Sequence, residues 1–218
     1  VSFSNTSGTN FSRPEKIEID KSIVSWGDWI WRVTWHKGTG YAIDYQIGPE
    51  ERRGPTAMYL VSTKDGKSFK KVSKIELDGF PNEATVRFDK KGTLYAMIRR
   101  ETGDQKGVWA KAEFPYTQWD YKKMDYRLGG PNFIFLDDTH LVAGTRMHEE
   151  SVYTGLLVGD KTGQFQKLAK LPSTGDSSYP GLLIHNGELW ISYYSTHEGK
   201  SSIYISQIPL SDVEKAFE

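Results

Sequence analysis

A polar turn followed by an aromatic residue recurs along this chain, and the recurrence restricts the fold more than any other feature. It is clearest in YLVSTKDGKSFKKVSKIEL, residues 59–77, where Asp65-Gly66 separates two apolar runs. Asp-Gly at such a place signals a hairpin, because both residues tolerate positive φ. The N-terminal VSFSNTSGTNFSRPEKIEI has the same frame, with Ser4 matching Ser62, Gly8 matching Gly66 and Phe11 matching Phe69. Two weaker copies follow: WAKAEFPYTQWDYKKM, with Trp119 in the aromatic place, and LLVGDKTGQFQKLAKL, one residue shorter, with Phe165. The marker thus falls at 11, 69, 119 and 165, at spacings of 58, 50 and 46. A strand-rich repeat of about fifty residues predicts a radial array.

The segments between markers fill in each repeat. Residues 29–33 and 41–45 read as an inner hairpin turning at 37–40, followed by a connector rich in Pro and charge at 47–55. Equivalent inner hairpins are predicted at 83–88 with 93–99, at 132–136 with 141–146, and at 181–184 with 189–194. Each unit is then four short antiparallel strands, the blade of an all-β β-propeller. Residues 28–80, 81–128 and 129–174 give whole blades, 176–210 gives a last one, and 1–20 gives a partial outer half. A β-sandwich also carries strands every 8–12 residues, but it does not repeat one turn on the outer half of every unit. Only residues 211–218 read as helix, with Ser211 as N-cap.

Composition removes several function classes. Basic and acidic side chains balance at 28 each, so there is no basic field for nucleic acid. The absence of Cys excludes thiol catalysis, disulfides and Cys-based metal sites. No apolar run is long enough for a membrane-spanning helix. No His/Asp/Glu spacing calls for a metal, and no cofactor motif is present.

In a blade, the start of the first strand and the end of the second lie at the same mouth of the central channel. First-strand starts carry Arg32, Asn82-Glu83, Asn132 and Ser178-Tyr179. Second-strand ends carry Asp44-Tyr45, Arg99-Arg100, Arg146 and Tyr194, with His197-Glu198 just beyond. Charged groups converging on an otherwise apolar framework need compensation. Several arginines facing one cavity suit a carboxylate or phosphate, which the guanidinium fork holds bidentately. Arg99 and Arg100 are adjacent on one strand, so only one of them faces the mouth. Counting from the neighbouring turns aligns Arg100 with Arg146, and a slip of one residue selects Arg99 instead.

The repeated turn is similar to the Asp box (BNR repeat) of sialidase-like propellers, with Lys64 in place of the usual Asp and Asp65 one position later. The segments WIWRVTWHKGTGY, PNEATVRFDKKGTLYAMIRRE, GGPNFIFL with AGTR, and GDSSYPGLLIHNGELWISYYSTHEGKSSIY resemble a bacterial group labelled sialidase or exo-α-sialidase-like. That resemblance covers essentially the whole chain, as the later blades of a six-bladed propeller. It implies an exo-glycosidase acting on a terminal anionic sugar, with Tyr179 in the nucleophile position and Glu83 as its base. A phenol nucleophile is the exception that sialidases make among glycosidases. It further implies that Arg99 or Arg100, together with Arg146, grips the substrate carboxylate. Arg32, Asn132, Tyr194 and His197 are then candidate contacts to a sialoside-like glycan, and Asp44 a candidate acid. The third arginine and the acid/base aspartate belong, in sialidases, to earlier blades. The alternatives are a non-catalytic propeller that binds carbohydrate or protein at the same mouth, and an inactive fragment. Self-association is expected if the ring is incomplete.

Overall fold

The computed structural model describes residues 1–48 and 55–217, and in it nearly every regular element is a strand. The first sheet contains β1 (Glu18–Ile19), β2 (Asp28–Ile30), β3 (Thr34–His36), β4 (Thr39–Ile47), β5 (Pro55–Thr63) and β6 (Ser68–Lys74). Its inner strand is broken, so β2 and β3 pair separately with β4, and β5 and β6 follow outward. The second sheet runs β7 (Pro81–Phe88), β8 (Leu94–Arg100), β9 (Lys106–Ala112) and β10 (Asp120–Arg127). The third runs β11 (Asn132–Phe135), β12 (His140–His148), β13 (Val152–Asp160) and β14 (Phe165–Lys170). The fourth has β15 (Ser177–His185), β16 (Glu188–Ser195) and β17 (Ser202–Pro209). All these neighbours are antiparallel except β1 with β6. This is a β-propeller of successive antiparallel blades, as the turn spacing predicts. Residues 49–54 of the predicted connector lie outside the described residues.

The blades stack face to face through apolar layers. Ile43 and Leu60 of the first sheet meet Val86 and Ile98 of the second, and all four are fully buried. Met97 and Leu128 meet Phe133, Leu141 and Leu157 across the next interface, and Val142 and Leu156 meet Leu189 and Ile191 across the third. Each such side chain contributes roughly 1.5–3 kcal/mol relative to exposure. The chain ends in α1 (Leu210–Glu214) and a 3-10 turn (Lys215–Phe217), with Val213 buried against the last interface. Ser211 lies inside α1; the cap position is Pro209, with no side-chain hydrogen bond.

The repeated turn is a local device. In the copy at 59–77, Asp65 Oδ1 accepts from the amides of Lys67 and Ser68, both at 2.8 Å, while Gly66 takes φ +74°. Those amides, with the Thr63 hydroxyl, hold the Asp65 carboxyl down at about 2. Asn5 does the same for Thr9 and Asn10, and Asp160 for Thr162. The N-terminal copy does not stand as a blade edge of its own. Its turn is closed by the Ser4–Phe11 bridge, and β1 then runs parallel along β6, so Glu18 and Ile19 extend the first sheet.

The first and fourth sheets each keep apolar side chains in solvent. Ile203 and Ile205 are 75% and 66% exposed on β17, and Trp26 is 82% exposed beside the first sheet.

Candidate active site at the channel mouth

Two β-bulges at matching places build the mouth. On β7, Pro81 pairs with Arg100 and Ala84 with Ile98, so Asn82 and Glu83 together face the single residue Arg99. On β15, Ser178 pairs with Tyr194 and Gly181 with Ser192, so Tyr179 and Pro180 together face Tyr193. A bulge bends the strand and re-aims one side chain out of the alternating pattern. At Tyr179 the backbone enters the left-handed region at φ +52°, a costly conformation for a bulky non-glycine residue.

The two re-aimed side chains meet. Tyr179 Oη donates to Glu83 Oε1 at 2.8 Å. Glu83 Oε2 accepts from Arg99 Nη1 and from the Gly130 amide, both at 2.8 Å. Arg99 also pairs with Glu101 at 2.6 Å, and Asn82 donates to Glu101 at 3.0 Å. Burial first, then the hydrogen bond to Glu83 and its charge, pushes the Tyr179 hydroxyl up to about 12, so it rests as a neutral phenol. The ring is 41% exposed and packs edge-on against Trp31 at 5.5 Å, with Tyr194 at 5.6 Å. Tyr45 packs at a tilt against Trp31, its hydroxyl pushed up by burial.

Gly129-Gly130 is the hub that lets these groups approach. The Gly129 carbonyl accepts from the Arg146 amide and the Ser178 hydroxyl, and its amide donates to Thr145. A Cβ at Gly130 would lie 2.1 Å from Tyr179 Cδ1, and one at Gly129 would lie 2.9 Å from Arg146 Cβ.

Arg146 belongs to the same mouth. Its Nε donates to the Ser177 carbonyl, and its Nη2 reaches Asp176 at 2.9 Å and Tyr194 Oη at 2.8 Å. Tyr194 donates in turn to Asp176 at 2.5 Å. His148, one turn of the pleat beyond Arg146, is driven down to about 4 by burial and by Arg127, Arg146 and Arg99, so it is neutral at neutral pH.

Glu83, Tyr179, Arg99, Arg146 and Tyr194 therefore come together as the sequence leads one to expect. Four other candidates do not join them. Arg100 is 3% exposed on the opposite face of β8, tied to Asp78 and Asp104, because the bulge selects Arg99 for the mouth. Asn132 is 2% exposed, and its amide is spent on the Pro180 carbonyl and Arg87, which closes it to a substrate. His197 bonds to Ser195 and packs on Tyr204. Among the described residues Arg32 donates only to the Pro180 carbonyl, at 3.2 Å.

Asp44 cannot serve as the acid. It is fully buried on the face of β4 turned toward Asp28 and the N-terminal segment, with Oδ1 on the Trp29 amide and Oδ2 without a partner. Burial, then the Asp28 charge, pushes its carboxyl up to about 6. An acid whose folded pKa is raised favours the folded state while protonated and loses that advantage as pH rises through 3.8 to about 6. The loss is on the order of 3 kcal/mol by pH 7. Asp44→Asn is thus expected to gain stability relative to the wild type between pH 4 and pH 7. Urea melts of both proteins at the two pH values measure it, and a difference that does not change with pH contradicts the assignment.

Residues missed in the sequence are Glu101, Asp176, Trp31, Arg87 and Gly130. The doubled glycine before Pro131 was the available signal for the hub. Among the described residues no cluster of His, Asp and Glu could hold a metal ion, and no helix is long and apolar enough to cross a membrane.

No protein-family model and no curated protein matches the chain. Among solved structures, a Dyadobacter fermentans protein of unknown function superposes with a TM-score of 0.79 at 15% identity, over 94% of this chain and 62% of that one. An endo-arabinase from Bacteroides thetaiotaomicron gives 0.56 at 15% identity, over 81% of this chain and 73% of that one. A Penicillium chrysogenum α-L-arabinanase complexed with arabinobiose gives 0.60 at 13%, over 79% and 61%. At these identities the likeness is one of fold.

Proposed function

We propose that the protein is a glycoside hydrolase that acts at the channel mouth on a terminal anionic sugar through a tyrosyl intermediate. The observation that carries the reading is the 2.8 Å hydrogen bond between Tyr179 Oη and Glu83 Oε1, on two facing bulges. A carboxylate that already accepts the phenol proton is placed as its base, and a neutral phenol approaches an anionic sugar without charge repulsion. Arg99 and the Gly130 amide fix the carboxylate, while Trp31 and Tyr194 supply ring faces beside the phenol. Glu83, Glu101 and Asp176 are all bonded to arginine, so none of them is assigned as the acid that protonates the leaving group. Likeness to propellers named as an endo-arabinase and an α-L-arabinanase supports a glycosidase-type role at the level of fold.

The substrate carboxylate would take Arg146. That guanidinium, 19% exposed, is held by Asp176, whose side chain is 66% exposed, so water reaches the carboxylate side of the pair and weakens it. An incoming carboxylate therefore replaces Asp176 on Arg146 and Tyr194 at little cost. Arg99 is committed more deeply, between two carboxylates. The same pairing motivates a second reading, a neutral terminal sugar, because the chain's own carboxylates already balance both arginines. Asp176→Asn separates the two. It removes the competitor for Arg146, so KM for a fluorogenic sialoside or uronide is expected to fall roughly three- to tenfold with kcat unchanged. An unchanged KM with faster turnover of a neutral arabinoside or galactoside favours the second reading. Absence of turnover across anionic and neutral glycosides defeats both.

A further inference from the structure

Below the mouth, one side chain or carbonyl from each of the four blades meets on the channel axis. Arg32 lies between β2 and β3, Arg87 on β7, Asn132 on β11 and Pro180 on β15. Arg87 donates three hydrogen bonds, to Thr34 Oγ1 at 2.7 Å, the Val86 carbonyl at 2.9 Å and Asn132 Oδ1 at 2.8 Å. Its Cζ lies 6.0 Å from the Phe133 ring centre. Every one of these partners is neutral. Arg32 donates to the Pro180 carbonyl at 3.2 Å, the oxygen that Asn132 Nδ2 also reaches at 2.9 Å. Arg32 Nε is buried without an acceptor among the described residues.

The two guanidinium groups thus flank the Asn132 amide with no ion pair among the described residues. Arg99, Arg100 and Arg146 each contact at least one carboxylate. The axial pair is also desolvated, and Arg32 and Arg87 repel each other. Burial first, then that repulsion, brings Arg87 down to about 10, which still leaves it cationic at neutral pH. Glu83 favours the Arg32 charge from a distance, but its oxygens are spent on Arg99, Gly130 and Tyr179. Two half-buried like charges facing neutral acceptors are costly unless a counter-charge joins them.

We propose that Arg32 and Arg87 form an anion site beside the Asn132 side chain on the channel axis, which takes one small monovalent anion of the halide class. Arg32 donates through Nη2 alone and Arg87 through Nη1 and Nη2, so unused N–H groups remain on two separate strands. A spherical anion accepts from any direction, whereas a carboxylate or phosphate needs an aligned edge. The site is distinct from the sugar position over Tyr179 and neutralises the axis of the propeller.

The test is thermal unfolding of the whole chain in chloride, bromide and gluconate at equal ionic strength. A saturable rise in Tm of about 2–4 °C in the halides is expected, because a ligand that binds only the folded state stabilises it. Asn132→Asp places a carboxylate between the two arginines. It is expected to raise Tm in gluconate and to flatten the halide dependence, and Arg87→Met is expected to abolish that dependence. A bromide-soaked crystal should show an anomalous peak between Arg32 and Arg87. Equal Tm in all three salts, a halide effect undiminished in both variants, or no axial bromide peak each overturns the proposal.

Discussion

Tyr179→Phe is expected to lower kcat on a glycoside of the proposed class by at least about a thousandfold while leaving the fold and substrate affinity in place. The change deletes one oxygen. The ring keeps its contacts with Trp31 and Tyr194, and Glu83 keeps Arg99 and the Gly130 amide. Losing one hydrogen bond to the buried Glu83 carboxylate costs about 1.5–3 kcal/mol, which a chain of this size tolerates. The loss of rate must therefore come from the lost nucleophile. Steady-state kinetics beside a urea melt checks both halves, and near-normal turnover by the variant would remove Tyr179 from the chemistry. Saturable glycan binding with no turnover by either protein would point to the binding-module alternative.

The second large effect is structural. Gly130→Ala is expected to destabilise the protein by about 2–4 kcal/mol and to abolish turnover. Gly130 sits at φ +59°, and its missing Cβ would occupy space held by Tyr179 Cδ1 at 2.1 Å and Ser178 Oγ at 2.8 Å. Either the Tyr179 ring leaves Glu83 or the Gly130 amide does, and both bonds are needed at the mouth. Gly187 is the control, with φ +75° and nothing within 4 Å of the place a Cβ would take. Gly187→Ala carries only the backbone penalty, about 1 kcal/mol. Urea melts of the two variants compare the terms, and equal losses would show that crowding at Tyr179 contributes nothing.

The blades were legible in the sequence because their turns are closed locally. Asp65, Asn5 and Asp160 each bond amides within five residues, so composition at the turn is enough to place it. Where chain segments distant in sequence decide the outcome, the reading fell short. Nothing local indicates that residues 18–19 lie parallel along β6. The mouth was legible in outline, since the ends of paired inner strands must share one rim, and Glu83, Tyr179, Arg146 and Tyr194 do. The bulges were not. An alternating pattern cannot reveal that two residues of β7 face one of β8, and that single insertion decides between Arg99 and Arg100. Asn132 and Arg32 stand at the predicted strand starts, but their side chains turn down the channel to Pro180. Asp176 could not be assigned from its own surroundings, because it matters through an arginine supplied by the neighbouring blade, and Glu101 matters only once the bulge has turned Arg99, two residues before it, to the mouth.

The most direct test of a nucleophilic Tyr179 is mass spectrometry of the protein after incubation with a fluorinated glycosyl fluoride, which forms the glycosyl-enzyme readily and hydrolyses slowly. One sugar attached per chain, mapped to the peptide holding Tyr179 and absent in Tyr179→Phe, is the expected result. An adduct on a carboxylate, or hydrolysis of the reagent with Tyr179 unmodified throughout, would contradict it.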